Sequence, residues 1–153
     1  MRVPKLIRAY CAGFIDGEGT IYILKQTRGK STWHYIKVEA SNTNKAPLEY
    51  LQSNYGGTIY EHIRQGEHRK IIYIWCLSTR RAFTFLKEIE PYLKVKHKQA
   101  QLAIQLQERI MNYNSEYKTQ HFPHAWRLSN EEVEAREQLR FCLKQLTKRG
   151  IMN

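Results

Sequence analysis

Two acids separated by one glycine, Asp16 and Glu18, close a run of small and apolar residues between Tyr10 and Thr20. The run reads as helix up to the acids and as strand from Thr20, so both carboxylates fall where a helix gives way to a turn. Carboxylate oxygens exposed at such a point suit a hard divalent cation. Gly13 and Gly17 stand four residues apart on the same helix. Lacking Cβ atoms, they let another backbone approach that face. Two such helices, packed closely and ending in acids, would hold cations at a two-fold axis.

The elements that position these acids follow from periodicity and punctuation. Pro4 suits a helix first turn, and Leu6, Ile7, Tyr10, Cys11 and Phe14 recur at helical spacing. Thr20 to Gln26 and Trp33 to Ser41 read as a hairpin joined by the basic loop Thr27 to Ser31. A short helix, Lys45 to Tyr55, carries Pro47 in its first turn and ends at Gly56-Gly57. A second hairpin pairs Thr58 to Ile63 with Lys70 to Ser78. Helices are expected at Ala82 to Ile89 and His97 to Asn112, the latter with Leu102, Ala103, Leu106 and Ile110 on one side. A last helix starts at Ser129, with Glu132 placed to complete a capping box and Val133, Leu139, Leu143 and Leu146 as its apolar stripe. The expected fold is α+β, in the order αββαββα. It has four antiparallel strands, helices on one face and further helices at the C-terminal end. One domain spans 1–153, with its core in about 5–112 and a helical extension in about 113–153.

The chain has 153 residues and a formal net charge of +11, which points to a polyanionic partner, nucleic acid before membrane. Cys11, Cys76 and Cys142 are widely spaced and form no C-x-x-C pair, so they read as buried or free thiols of a reducing compartment. The first residues hold no apolar leader core, and no stretch is long and apolar enough to span a bilayer. An intracellular protein is expected, in a bacterial cytoplasm or an organelle.

Helices on one side leave the other face of the sheet free. Side chains alternate along a strand. With Ile21, Ile23, Ile36, Val38 and Ala40 turned to the core, the free row holds Tyr22, Leu24, Gln26, Trp33, Tyr35, Lys37, Glu39 and Ser41, and from the third strand Tyr60, His62 and Arg64. The fourth strand is apolar in both rows, so its outward row stays open. Basic loops stand at the tips, with Arg28 and Lys30 at one and Arg64, Arg69 and Lys70 at the other. A ribbon of this kind fits a major groove, with loop cations on phosphates and strand side chains on base edges. Strands of about eight to ten residues at ~3.3 Å span roughly 30 Å, about eight to ten base-pair steps.

By its length and its glycine and acid positions, Cys11 to Gly19 resembles the nine-residue signature of the LAGLIDADG homing endonucleases, with Cys11 in place of the usual leucine. The resemblance extends over roughly residues 5 to 112 and implies the αββαββα fold with a saddle-shaped sheet that grips double-stranded DNA. The signature occurs once. In this family that implies a homodimer paired through the motif helices, here Ala9, Tyr10, Ala12, Gly13 and Asp16, on a nearly palindromic site. It also implies Mg²⁺-dependent phosphodiester hydrolysis, with Glu18 and the carbonyl of Gly17 as metal ligands and Asp16 as a weaker catalytic candidate. Glutamate stands at 18 where aspartate is commoner. The segment Glu90 to Ala100 is similar to one that brings a lysine to the active-site rim, which assigns that role to Lys96. Asn42, ending the second strand, takes the place of a water-orienting residue, and Lys45 that of an added basic residue.

Two other classes remain open to the sequence. Similar proteins act as intron RNA maturases or as DNA-binding regulators that do not cut, and metal-dependent cleavage separates these from an endonuclease. A zinc or HNH-type site at His62, His68, His121 and His124 is not supported, because no cysteine or acid stands at ligand spacing.

Overall fold

The computed structural model describes residues 3–63, 71–120 and 128–148, the side chains of 117–120 excepted. The chain runs α1 (Lys5–Glu18), β1 (Gly19–Arg28), β2 (Ser31–Asn42), α2 (Ala46–Tyr55), β3 (Thr58–Ile63), β4 (Ile71–Ser78), α3 (Thr79–Ile89), a 3-10 turn (Glu90–Tyr92), α4 (His97–Gln120) and α5 (Asn130–Thr147). The four strands form one antiparallel sheet in the order β1-β2-β4-β3. This is the expected α+β order, with several boundaries moved outward. The basic loop shrinks to Gly29 and Lys30, because Arg28 and Ser31 still pair and Gly29 takes the turn at φ 59°. Helix α4 continues eight residues past Asn112 through a polar stretch with no apolar stripe to announce it.

One face of the sheet carries the core. Ile21 and Ile23 of β1, and Ile36, Val38 and Ala40 of β2, alternate inward as the period-two pattern requires. In β4 the inward row is Trp75 and Leu77, with Tyr73 at the core margin, which resolves the strand the sequence left open. Trp75 is sealed by an edge-on contact with Phe85 and donates its indole N–H to the carbonyl of Gly56 at 2.8 Å. A buried indole needs such a partner. Gly57, at φ 96°, leaves room for that contact, since a Cβ there would lie 2.8 Å from the indole nitrogen. Helix α3 covers the sheet with Ala82, Phe85, Leu86 and Ile89, spaced three and four apart. Each large apolar side chain buried here contributes about 1.5–3 kcal/mol.

Helix α5 docks through polar groups as much as apolar ones. Its Ser129 cap accepts from the N–H of Glu132, but Glu132 does not complete the expected box. Its carboxylate accepts instead from Arg136 at 2.6 Å and from Arg109 of α4 at 2.8 and 3.0 Å. One turn on, Glu137 meets the buried His34 of β2 at 2.8 Å, Arg140 at 2.5 Å and Lys25 of β1 at 3.5 Å.

Candidate active centre and nucleic-acid face

Helix α1 turns Arg8, Cys11, Ala12 and Ile15 inward. Lys5, Leu6, Ala9, Tyr10, Gly13 and Gly17 stay exposed on the other side. A Cβ at Gly13 or Gly17 would meet nothing within 4 Å beyond its own stretch of helix among the described residues. Their openness therefore has no reason within the protomer's own packing. Leu6 is 86% exposed, and Tyr10 stands edge-on to Tyr50 of α2 with ring centres 5.2 Å apart. The open face is thus apolar, small and aromatic. Two expected interface residues do not lie on it. Ala12 is fully buried in the core, because it shares the inward stripe of Arg8 and Ile15. The carboxylate of Asp16 is turned onto its own chain.

The helix stops at Gly19, whose N–H returns to the carbonyl of Ile15. Only glycine fits, since a Cβ would lie 2.8 Å from the Cα and carbonyl oxygen of Ile15. The two acids before it differ in their surroundings. Asp16 accepts from the backbone N–H groups of Lys94 at 2.7 Å and Lys96 at 2.9 Å. Burial pushes its carboxyl up, but these N–H groups, that of Val95 and the Lys96 ammonium together bring it below the ordinary value. Asp16 therefore fastens the segment after the 3-10 turn to the end of α1, and its role is positioning. Arg8 reinforces the join from beneath, stacked 5.8 Å from the centre of the Tyr92 ring. Glu18 is exposed, and among the described residues no hydrogen bond or ion pair engages its carboxylate.

Lys96 reaches the same point from the other side, donating from its ammonium to the carbonyl oxygen of Asp16. It is half-buried. Burial pushes its ammonium below the ordinary lysine value, against the opposing pull of Asp16 and Glu18. A cation at a helix C-terminus also meets the negative end of the helix dipole. Asn42 ends β2, where its side-chain oxygen accepts from the N–H of Asn44 at 2.9 Å. Lys45 is paired with Glu49 at 3.3 Å.

Among the described residues no three His, Cys, Asp or Glu converge on a metal. What one protomer offers a hard cation is the carboxylate of Glu18 and the α1 carbonyls beyond Asp16, those of Ile15 and Asp16 being engaged by Gly19 and Lys96. This donor set suits Mg²⁺, which is held by one or two carboxylates with water and phosphate oxygens completing its shell.

The free face of the sheet carries the expected row. Tyr22, Leu24, Trp33, Tyr35, Lys37, Glu39 and Ser41 are half-exposed, while Gln26, Arg28, Lys30, Tyr60 and His62 are exposed. Arg64, Arg69 and Lys70 lie outside the described residues, as do His68, His121 and His124. In the middle of the face Lys37 contacts Glu39 at 2.5 Å, and Tyr60 donates its hydroxyl to the same oxygen at 2.9 Å. Lys37 is thus an answered charge in a polar cluster. Ile74 and Cys76, in register with Tyr60 and Thr58, also face outward and add apolar contacts that the sequence did not single out. Such groups suit the methyl of thymine.

The LAGLIDADG endonuclease family profile matches residues 11–101. The chain belongs to the LAGLIDADG endonuclease family. It is by that membership an endonuclease, and the nine residues Cys11 to Gly19 open the matched stretch. The fold agrees with that of solved members. It superposes on the homing endonuclease I-CvuI in complex with its target in the presence of 2 mM Ca at TM-score 0.71, with 20% identity over 97% of this chain and 86% of that one. An archaeal intron-encoded homing endonuclease, I-Vdi141I, complexed with DNA, gives TM-score 0.71 at 16% identity over 97% and 88%. The LAGLIDADG homing endonuclease I-SmaMI, bound to cleaved DNA, gives 0.62 at 15% identity, and this chain covers 48% of it. No curated protein sequence matches.

Proposed function

We propose that the protein cuts both strands of a long, nearly palindromic DNA site as a Mg²⁺-dependent homodimer. The observation that carries this reading is the contrast at the end of α1: Asp16 is held by backbone N–H groups, while Glu18 is left without a partner beside Lys96. The open face of α1, where a Cβ at Gly13 or Gly17 would meet no other element among the described residues, supports pairing with a second copy through Leu6, Ala9, Tyr10, Gly13 and Gly17, flanked by Tyr50. Pairing there brings two copies of Glu18 to one axis.

When bound by Glu18 and the carbonyl of Gly17 from both protomers, Mg²⁺ supplies charge neutralisation at the scissile phosphates and an activated water. Lys96, fixed to the carbonyl of Asp16, presents a cation where negative charge builds on phosphorus. Asn42 keeps its amide N–H groups for orienting water, its oxygen being engaged by Asn44. The sheet face positions the duplex: Arg28 and Lys30 hold phosphates, and Tyr22, Gln26, Trp33, Tyr35, Tyr60 and His62 meet base edges.

A randomised library of long duplexes, incubated with and without Mg²⁺ and sequenced at its ends, tests the proposal. Paired cuts at a near-palindrome, with Mg²⁺ only, are expected. Specific binding without cutting would overturn it in favour of a regulator, and binding to structured intron RNA alone would favour a maturase.

A further inference from the structure

Strand β4 ends at Ser78, which pairs with Lys37, so the first half of β2 has a neighbour on one side only. The chain turns away there at Thr79, a β-branched residue at φ 52°, to start α3. The missing strand length leaves a hollow of about 740 Å³. Trp33 and Tyr35 wall it, Arg80 and Arg81 line it from the start of α3, and Gln107 and Ile110 line it from α4.

Three features of the lining point to one kind of ligand. No Asp or Glu is among its residues, and neither Arg80 nor Arg81 has an acidic partner among the described residues. The aromatic rings belong to the free face and Gln107 and Ile110 to the helix behind the sheet, so the hollow lies at the uncovered edge of β2, beside the face where nucleic acid is expected. Gln107 reaches the lining from α4, and among the described residues its amide makes no hydrogen bond and is not one of the buried unpaired groups, so it is open to a ligand without displacing a partner. An amide pairs with a base edge, an aromatic ring stacks on a base, and a guanidinium takes a phosphate.

We propose that this hollow binds an unpaired nucleotide, its base between Trp33, Tyr35 and the Gln107 amide and its phosphate on Arg80 and Arg81. The site is separate from Glu18 and Lys96, and its volume lies within the range of small-molecule pockets. A duplex reaches it only by displacing a base from the stack, whereas a single strand or an RNA bulge offers one directly.

The test uses the full chain and a short single-stranded oligonucleotide containing 2-aminopurine, whose fluorescence falls on stacking, titrated as DNA and as RNA. Quenching is expected. Gln107→Leu and Arg80→Ala should each weaken it about tenfold, as expected for the loss of one base or phosphate contact. Duplex cleavage by the same variants should stay within about twofold. Gln107→Leu breaks no hydrogen bond among the described residues and keeps a side chain of similar size, so its melting temperature should hold, and a loss of binding is then not a loss of fold. Quenching that Gln107→Leu leaves unchanged would overturn the proposal. So would duplex cleavage falling in parallel with it, which would assign these residues to the duplex interface. Oligonucleotide binding without duplex cleavage would leave this site standing and count only against the endonuclease proposal.

Discussion

The end of α1 and the seam between α4 and α5 use the same residue types in opposite ways. At the seam every described carboxylate oxygen of Glu132 and Glu137 is engaged, by Arg109 and Arg136 for one and by His34, Arg140 and Lys25 for the other. At the end of α1 one acid is engaged and the other is not. An acid satisfied on every side stabilises the fold and has little left to offer a ligand. One held open beside a fixed cation must be completed from outside. What separates the two regions is where the backbone N–H groups and cations fall, since both are equally rich in charge.

Removing a seam carboxylate should give the larger loss of stability. Glu132→Ala leaves Arg136, 3% exposed, without its counter-charge, and Arg136 already has one buried N–H unpaired. Loss of one partner of a buried pair costs about 3–5 kcal/mol. Urea unfolding should record that loss, and a change within about 0.5 kcal/mol would mean that water replaces the pair. Lys96→Ala should act the other way round. Cleavage should slow by about 10²-fold, the scale for one group that stabilises charge in a transition state, with DNA binding nearly unchanged. Equal losses in binding and cleavage would reduce Lys96 to a phosphate anchor.

The smallest effect is one of pH. Burial holds His34 below its ordinary value of 6.5, against the opposing pull of Glu137. Between the lowered folded value and 6.5 the unfolded chain binds more protons, so stability rises with pH across that window. This contribution is fully present above pH 6.5 and is lost as the pH falls below it. Melting temperatures taken from pH 7.5 downward should decline below 6.5, and His34→Phe should flatten that part of the curve. The same slope in the variant would place the titrating group elsewhere.

Element order, the core rows of β1 and β2 and the acids at the end of α1 were legible because each rests on local periodicity or on a short motif. The outward row of β4 was not, since Ile72, Ile74 and Cys76 are as apolar as Tyr73, Trp75 and Leu77. Only the partners of Trp75 decide which row is buried. The resemblance placed Ala12 at the interface with the rest of the motif helix, but it shares the inward stripe of α1 with Arg8, whose buried side chain no apolar pattern anticipates. The task of Asp16 lies in N–H groups nearly eighty residues away, and Glu132 forgoes its cap for arginines on two helices. Gln107 sits in an ordinary helical run and gains meaning only from the early end of β4.

The most direct measurement compares the unmodified protein with Glu18→Gln for both DNA binding and cleavage in the presence of Mg²⁺. The substitution keeps the shape of the side chain and removes the charge that a cation needs. Specific binding close to that of the unmodified protein is expected, with cleavage reduced to background. A Glu18→Gln protein that still cuts at the same site would contradict it.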